Sequence, residues 1–321
     1  MLVIRVDEFG GPEVLQPVEV PDPVPGPGEV VVEVEAAGVL TLDTLIRRGG
    51  APGPRFATPL PYFPGRGAAG RIRAVGAGVD PGRLGQRVLA DVEGGAYAEQ
   101  LVAPVGALLP VPEGLEAAEA MVMLHDGGTA LAVFGDVGVR PGELVLVLPA
   151  AGGVGSLLVQ LARSTGARVL AAARGAEKLA LARSLGADLA VDYGEAGWAD
   201  AVRRRVGLVD VVVDGVGGAL GRAAFGLVAE GGRYSNYGMA GGPPTEVDPA
   251  EAYSRGVSVR GLEQLAGSGG GRRARQERML REAAAGRIRP VVGRRFPLAK
   301  AADAHTALQD REIVGKAVLV P

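Results

Sequence analysis

The sequence predicts an α/β protein in which a β-rich domain is joined to a doubly wound parallel sheet. Three observations carry that prediction. At 321 residues the chain is longer than one ordinary hydrophobic core accommodates. Its first 120 residues consist of short apolar or alternating runs bounded by Gly, Pro or Asp, the texture of a small barrel-like domain. From about residue 115 wholly apolar strands alternate with amphipathic helices, which requires a parallel sheet covered on both faces.

The elements follow in order. Val30 to Glu35 reads as a strand, preceded by the turn formers Pro25-Gly26-Pro27-Gly28. Further strands are expected at Gly70 to Val75, Arg87 to Ala90 and Tyr97 to Val102. Glu116 to Phe134 has helical spacing. Leu144 to Leu148 is a short apolar strand, followed by a glycine-rich turn and a helix to about Ser164. Arg168 to Ala172 is the next strand and Glu177 to Leu185 the next helix. Strands are expected at Leu189 to Asp192, Val209 to Val213, Gly232 to Tyr237 and Val257 to Leu262. Gly267 to Gly271 reads as a flexible loop, Arg272 to Ala285 as a basic helix, and the tail from Phe296 as a helix ending in the strand Ala317 to Val320.

Composition narrows the chemistry. The chain is 47% hydrophobic and 22% charged, with a net charge of -2, so no electrostatic case exists for nucleic acid. No apolar run is long enough for a membrane span and no signal peptide precedes the first strand, so the expected location is cytoplasmic, without membrane association. There is no cysteine, which removes disulfides, thiol nucleophiles and thiolate metal sites; with two histidines, His125 and His305, no metal site is expected. The basic clusters Arg203-Arg204-Arg205 and Arg272, Arg273, Arg275 read as solvated helix ends.

The motif with specific chemistry is Ala150-Ala151-Gly152-Gly153-Val154-Gly155. It lies between a strand and a helix, the context that a dinucleotide fingerprint needs. Ala150 replaces the first glycine of the frame. Gly152 lets the backbone approach a pyrophosphate, Gly155 lets the helix pack close to the strand, and the helix start offers unpaired N–H groups and partial positive charge. The second strand then decides the cofactor. An NAD site places Asp or Glu at its end; here stand Ala173 and Arg174, with Lys178 one turn into the helix. Two cations and no carboxylate favour NADP(H), whose 2′-phosphate they can pair with.

Other segments add to the turn: Ala36-Ala37-Gly38-Val39 with Asp43, Pro64-Gly65 with Ala69-Gly70, Val75-Gly76 with Val79, and Gly95-Ala96-Tyr97-Ala98-Glu99. Gly128-Thr129-Ala130, Pro141-Gly142, Leu185-Gly186-Ala187-Asp188, Asp214 with Val216-Gly217-Gly218, Gly231-Gly232-Arg233 and Gly315-Lys316 complete the series. In this order and spacing the chain resembles the zinc-free medium-chain dehydrogenase/reductases, in particular the NADPH:quinone oxidoreductase (zeta-crystallin-like) family, over essentially its whole length. The resemblance implies a GroES-like catalytic domain from residues 1–120 and 263–321 and a Rossmann NADP(H)-binding domain at 121–262. It implies cofactor contacts at Ala151, Gly152, Gly153, Val154, Gly155, Arg174, Lys178, Tyr193, Val216, Gly217, Asn236 and Tyr237, with Thr129 close to the nicotinamide. At the three places where zinc-dependent relatives carry Cys and His, this chain has Leu40, Arg66 and His125; His125 is expected to be a hydrogen-bonded structural histidine. A homodimer or tetramer is implied, with Val257 to Leu262 as the pairing edge.

In such an enzyme the cofactor carries the chemistry, and the protein supplies proximity and a dry cleft. No catalytic residue is certain from the sequence; Asp43 and Thr129 are the candidates, Asp43 having a helix cap as its alternative role. Quinone-reducing relatives usually have a polar residue and two tyrosines where this chain has Leu40, Leu45 and Ala51, so the substrate pocket is expected to be apolar. The expected partner is a small apolar electrophilic substrate, a quinone or an α,β-unsaturated carbonyl compound. Two alternatives stay open: a 2-enoyl thioester reductase, with Arg47, Arg48 and Arg66 as a cationic patch for coenzyme A, and an NADPH-binding sensor or structural protein with low turnover.

Overall fold

A computed structural model describes residues 1–50, 53, 56–261 and 271–321. Two compact units are present: Met1–His125 with Leu280–Pro321, and Asp126–Met279.

The chain opens with an antiparallel ribbon, β1 (Leu2–Arg5) and β2 (Gln16–Glu19). The central strand of the first unit is β3 (Glu29–Gly38), where alternation of buried valines with exposed Glu33 and Glu35 sets one face to the core. Helix α1 (Thr41–Arg47) follows, then β4 (Gly67–Val75), β5 (Arg87–Asp91), β6 (Gln100–Pro104) and β7 (Leu108–Pro110). Tyr97 and Ala98, expected within a strand over 97–102, lie ahead of β6; Ala98 forms an isolated bridge with Val3. The expected helix over 116–134 is three pieces: α2 (Ala117–Val122), a π-helical turn at Met123–Gly127 and α3 (Gly128–Val137). The adjoining Gly127 and Gly128 supply little helix propensity at the break.

In the second unit β8 (Leu144–Leu148) is buried at every residue and leads to α4 (Gly153–Ser164). Then come β9 (Arg168–Ala173), α5 (Ala176–Ser184), β10 (Leu189–Asp192), α6 (Trp198–Val206) and β11 (Val209–Asp214). They continue as α7 (Gly218–Phe225), β12 (Val228–Asn236), α8 (Pro249–Ser254) and β13 (Ser258–Gly261). The parallel sheet has the order β10-β9-β8-β11-β12-β13. This is the doubly wound order whose direction reverses beside the first strand, and ligands bind at the carboxyl ends of strands there. The Gly turn sits at that switch point, directly after β8. Leu262 and the expected loop residues 267–270 lie outside the described residues.

Helix α9 (Arg272–Ala284) leads into β14 (Val292–Pro297), α10 (Ala301–Gln309) and β15 (Lys316–Val320). The returning strands extend the first unit's sheet, in the order β14-β15-β3-β4-β5-β7, with β6 also paired to β3. Its core joins Ile4, Val30, Val32, Ile72 and Val88 to Phe296, Ala304 and Leu319. None of the described helices is long and apolar enough to cross a membrane.

Candidate active site

The glycine turn is closed by backbone contact. A Cβ placed on Gly155 would lie 1.9 Å from the carbonyl oxygen of Pro149, so only glycine allows α4 to start so close to the end of β8. A Cβ on Gly153 would meet Oδ2 of Asp126 at 2.1 Å. Gly152 is the N-cap, in extended conformation, and has no side chain with which to cap the helix. The first turn of α4 therefore presents backbone N–H groups at a bare glycine surface, which fits a pyrophosphate.

At the end of β9, Ala173 is fully buried and Arg174 is exposed. Arg174 makes no ion pair or hydrogen bond with any described residue, while its stem lies over Gly194. The Asp192 carboxylate does not pair with it but accepts from the backbone of Gly175 (2.8 Å) and Gly194 (2.7 Å), fixing both loops around the cation. Lys178 is half-buried on α5. Tyr193 is 7% exposed and packs in the core with Leu170, Ala172 and Trp198.

The loops after β11 and β12 are organised by Asp214, which is fully buried. Its Oδ1 accepts from the backbone N–H of Val216 (2.8 Å) and Gly217 (3.0 Å). Its Oδ2 accepts from the hydroxyls of Tyr234 (2.6 Å) and Thr245 (2.7 Å) and from Nδ2 of Asn236 (3.1 Å). Asn236 also donates to the carbonyl of Gly238 and accepts from the N–H of Thr245. The polar groups of Val216, Gly217 and Asn236 are thus committed within the protein, and Asp214 holds the segments that the sequence marked as cofactor contacts. Tyr237 is buried against Gly215, where a Cβ would touch its ring at 2.6 Å. Thr129, in the first turn of α3, is half-buried, and its hydroxyl makes no hydrogen bond with a described residue.

In the first unit a directional chain of hydrogen bonds runs through the core. Arg47 is fully buried; it donates to the carbonyl of Gly10, to Oε1 of Gln309 (2.9 Å) and to Nδ1 of His305 (3.3 Å). A guanidinium only donates, so Nδ1 of His305 must accept and the ring proton sits on Nε2. Nε2 lies 3.1 Å from the hydroxyl of Tyr97, which in turn donates to Oδ2 of Asp43 at 3.0 Å. Burial, with the Arg47 charge beside it, lowers the His305 pKa to about 3, so the ring is neutral. Burial likewise lowers the pKa of Arg47 and raises those of Tyr97 and Asp43.

Asp43 is 4% exposed and does cap α1, its Oδ2 accepting from the N–H of Leu40 at 2.9 Å. It also lines a cavity of about 150 Å³ with Ile46, Thr58, Tyr62, Phe63 and Arg66. Leu40 and Leu45 are half-buried and absent from this wall; Ala51 lies outside the described residues. Sequence reading missed Tyr62, an aromatic residue between two prolines. Its buried hydroxyl has no partner among the described residues, and burial, then the Asp43 charge, pushes its pKa up to about 12. The pocket wall is therefore less apolar than expected.

Two further expectations are corrected. Arg47 belongs to the core, and Arg66 pairs with Glu93 and lies over the Phe56 ring, so two of the three cations proposed for coenzyme A are engaged within the protein. The His125 ring is not hydrogen-bonded among the described residues: both ring nitrogens are buried without a partner there, and Nε2 stands 3.5 Å from Oδ1 of Asp91.

Known proteins match this architecture. Residues 26–113 match the alcohol dehydrogenase GroES-like domain, and residues 153–284 the zinc-binding dehydrogenase domain. The quinone oxidoreductase of Sus scrofa is 32% identical, covering 100% of this chain and 98% of its own. Among solved structures, the quinone oxidoreductase of Escherichia coli complexed with NADPH superimposes with a TM-score of 0.89 at 28% identity, both chains covered completely. A structure described as an NAD-dependent alcohol dehydrogenase superimposes equally well, at 0.88 and 33%, again with both chains fully covered. Fold and site define a medium-chain dehydrogenase/reductase, with a GroES-like domain and a Rossmann-type sheet. Within that class the chain belongs to the quinone oxidoreductase family.

The zinc named for the second domain has no matching donor set. Leu40 and Arg66 offer no ligand atom, and the described residues contain no group of three or more His, Asp or Glu side chains that could hold a metal.

Proposed function

We propose that the chain is an NADPH-dependent oxidoreductase that reduces small apolar acceptors carrying a carbonyl-conjugated double bond, as in quinones, enones and alkenals. The observation that carries this reading is the unpartnered Arg174 at the end of β9, beside a glycine turn at the switch point of the sheet. The equal likeness to structures described with NADPH and as NAD-dependent means that the fold alone does not choose the cofactor. Arg174 does: a free guanidinium offers bidentate pairing to a 2′-phosphate, and no carboxylate ends β9 to bind a free ribose hydroxyl.

Bound NADPH supplies the hydride. Ala151, Gly152, Gly153, Val154 and Gly155 hold the pyrophosphate at the start of α4, and Arg174 with Lys178 holds the 2′-phosphate. Tyr193 borders the adenosine. Val216, Gly217, Asn236 and Tyr237, set in place by Asp214, form the wall along the nicotinamide half, with Thr129 offering its hydroxyl. The acceptor sits in the cavity that Asp43 lines, where Ile46, Phe63 and Pro64 supply the apolar wall. The protein works in the cytoplasm as a homodimer paired through the edge strand β13, whose residues are exposed or half-buried.

Arg174→Ala tests the reading. Loss of a charge-assisted contact weakens NADPH binding by about 1–3 kcal/mol and leaves NADH binding nearly unchanged. Equal losses for both cofactors would overturn the assignment.

A further inference from the structure

We infer that Asp43 is the acid that protonates the substrate oxygen, through its Oδ1, in the cavity of the GroES-like unit. The two oxygens of its carboxyl group are not equivalent. Oδ2 accepts the N–H of Leu40 and the O–H of Tyr97, at 2.9 and 3.0 Å. The Tyr97 proton is committed in that direction because His305 donates to the same hydroxyl, and His305 is fixed in its tautomer by Arg47. A proton on the carboxyl therefore cannot sit on Oδ2 without displacing a donor; it sits on Oδ1.

Oδ1 accepts no hydrogen bond from any described residue, and Asp43, 4% exposed, lines the cavity, where the proposal places this oxygen. About 150 Å³ is ample against the roughly 10–15 Å³ that one water needs on the same measure. The wall also carries Thr58 and Tyr62, but the Thr58 hydroxyl is turned to the carbonyl of Phe56. Burial favours the protonated carboxyl. The charged or titratable groups around it are Arg47 on the same helix, Tyr97 ahead of β6, His125 in the π-helical turn, Lys316 at the start of β15, and Tyr62, Arg66 and its partner Glu93 in the cavity wall.

The step rests on the reductase reading above. Hydride addition at the carbon β to a carbonyl drives the C=C electron pair toward the oxygen, which becomes an enolate. The O–H bond of Asp43 breaks with its pair left on Oδ1, and the proton forms the enol O–H. Water entering the cavity returns a proton to Oδ1, and the enol tautomerises to the saturated ketone.

The test compares the wild type with Asp43→Asn, whose amide oxygen keeps both contacts of Oδ2 and whose NH2 faces the cavity without an acidic proton. With cyclohexenone, kcat falls about 100-fold or more, while KM and the NADPH Kd change less than about threefold. Wild-type kcat declines as pH rises through the Asp43 pKa, and that limb disappears in the variant. Far-ultraviolet circular dichroism and Tm report on folding; because the capping contacts persist, Tm stays close to wild type. A variant within about threefold of wild-type kcat, with the same pH profile, would overturn the inference and leave the reductase reading standing. If the wild type reduces no acceptor, infrared spectroscopy of the full chain still decides: a protonated-carboxyl band at neutral pH, lost in Asp43→Asn, supports the acid, and its absence overturns it.

Discussion

Replacing Asp214 by Asn probes the loops that border the proposed cofactor site. The carboxylate accepts five hydrogen bonds, from Val216, Gly217, Tyr234, Thr245 and Asn236, and is fully buried. The two backbone N–H groups at Oδ1 cannot turn, so the amide oxygen must take that place. The new NH2 then faces two hydroxyls, which rotate to accept, and the Asn236 amide nitrogen, which cannot: Asn236 is held by Gly238 and Thr245. One contact is lost and the others lose the charge that strengthened them. At about 1.5–3 kcal/mol for a hydrogen bond to a charged group, the expected destabilisation is about 2–4 kcal/mol. Asp214→Ala would strand all five donors and cost roughly 5 kcal/mol or more, too large a share of a domain's margin to measure cleanly. The chain has one tryptophan, Trp198, buried in the same unit, so urea unfolding followed by its fluorescence reports on this sheet alone. With an m-value of about 2 kcal/mol/M the midpoint falls by roughly 1–2 M, and NADPH affinity falls with it because Val216 and Gly217 lose their anchor. A shift below about 0.5 M with unchanged m would refute the assignment of Asp214 as the organising group.

Two further outcomes follow from the same geometry. His305 titrates near pH 3 when folded and near 6.5 when unfolded. Between those values only the unfolded chain takes up the proton, so this group makes stability fall as the pH drops from 6.5 toward 3, by about 5 kcal/mol at most; Asp43, whose raised pKa acts in the opposite sense, offsets part of that fall. With two histidines in the chain, ring-nitrogen NMR resolves this directly: His305 stays the neutral Nε2–H tautomer below pH 5, and a midpoint near 6.5 would contradict the buried chain. Gly155→Ala forces a Cβ to within 1.9 Å of the Pro149 carbonyl, costing about 1–3 kcal/mol and lowering NADPH affinity about tenfold or more. Gly106→Ala, with nothing within 4 Å, is the control, and comparable losses in both variants would show that the turn is not the reason.

The parallel sheet was legible because its inner strands are buried on both faces. Leu144 to Leu148 is an uninterrupted apolar run, and its bounds in the sequence and the structure coincide. Two strands of the first unit were not legible. β2 (Gln16–Glu19) contains a proline and three exposed residues, and β14 (Val292–Pro297) carries Gly293, Arg294 and Arg295; neither shows alternation that burial would enforce. The glycine turn and Arg174 could be read locally, since strand, turn and helix are contiguous. Arg47 could not: its partners His305 and Gln309 are 258 and 262 residues away, and nothing on a short helix marks one of two adjacent arginines as buried. The same holds for Tyr62, whose significance lies in the cavity it borders, and for Asp214, whose donors come from three segments of the chain.

The central claim is hydride transfer from NADPH to a carbonyl-conjugated acceptor. The most direct measurement follows NADPH labelled with deuterium at the transferable position during turnover with cyclohexenone, naphthoquinone and a medium-chain alkenal. The account predicts acceptor-dependent oxidation of NADPH, much faster than of NADH, with one deuterium recovered at the carbon β to the carbonyl of the reduced enone or alkenal. Tight NADPH binding without oxidation by any of the three acceptors would contradict it.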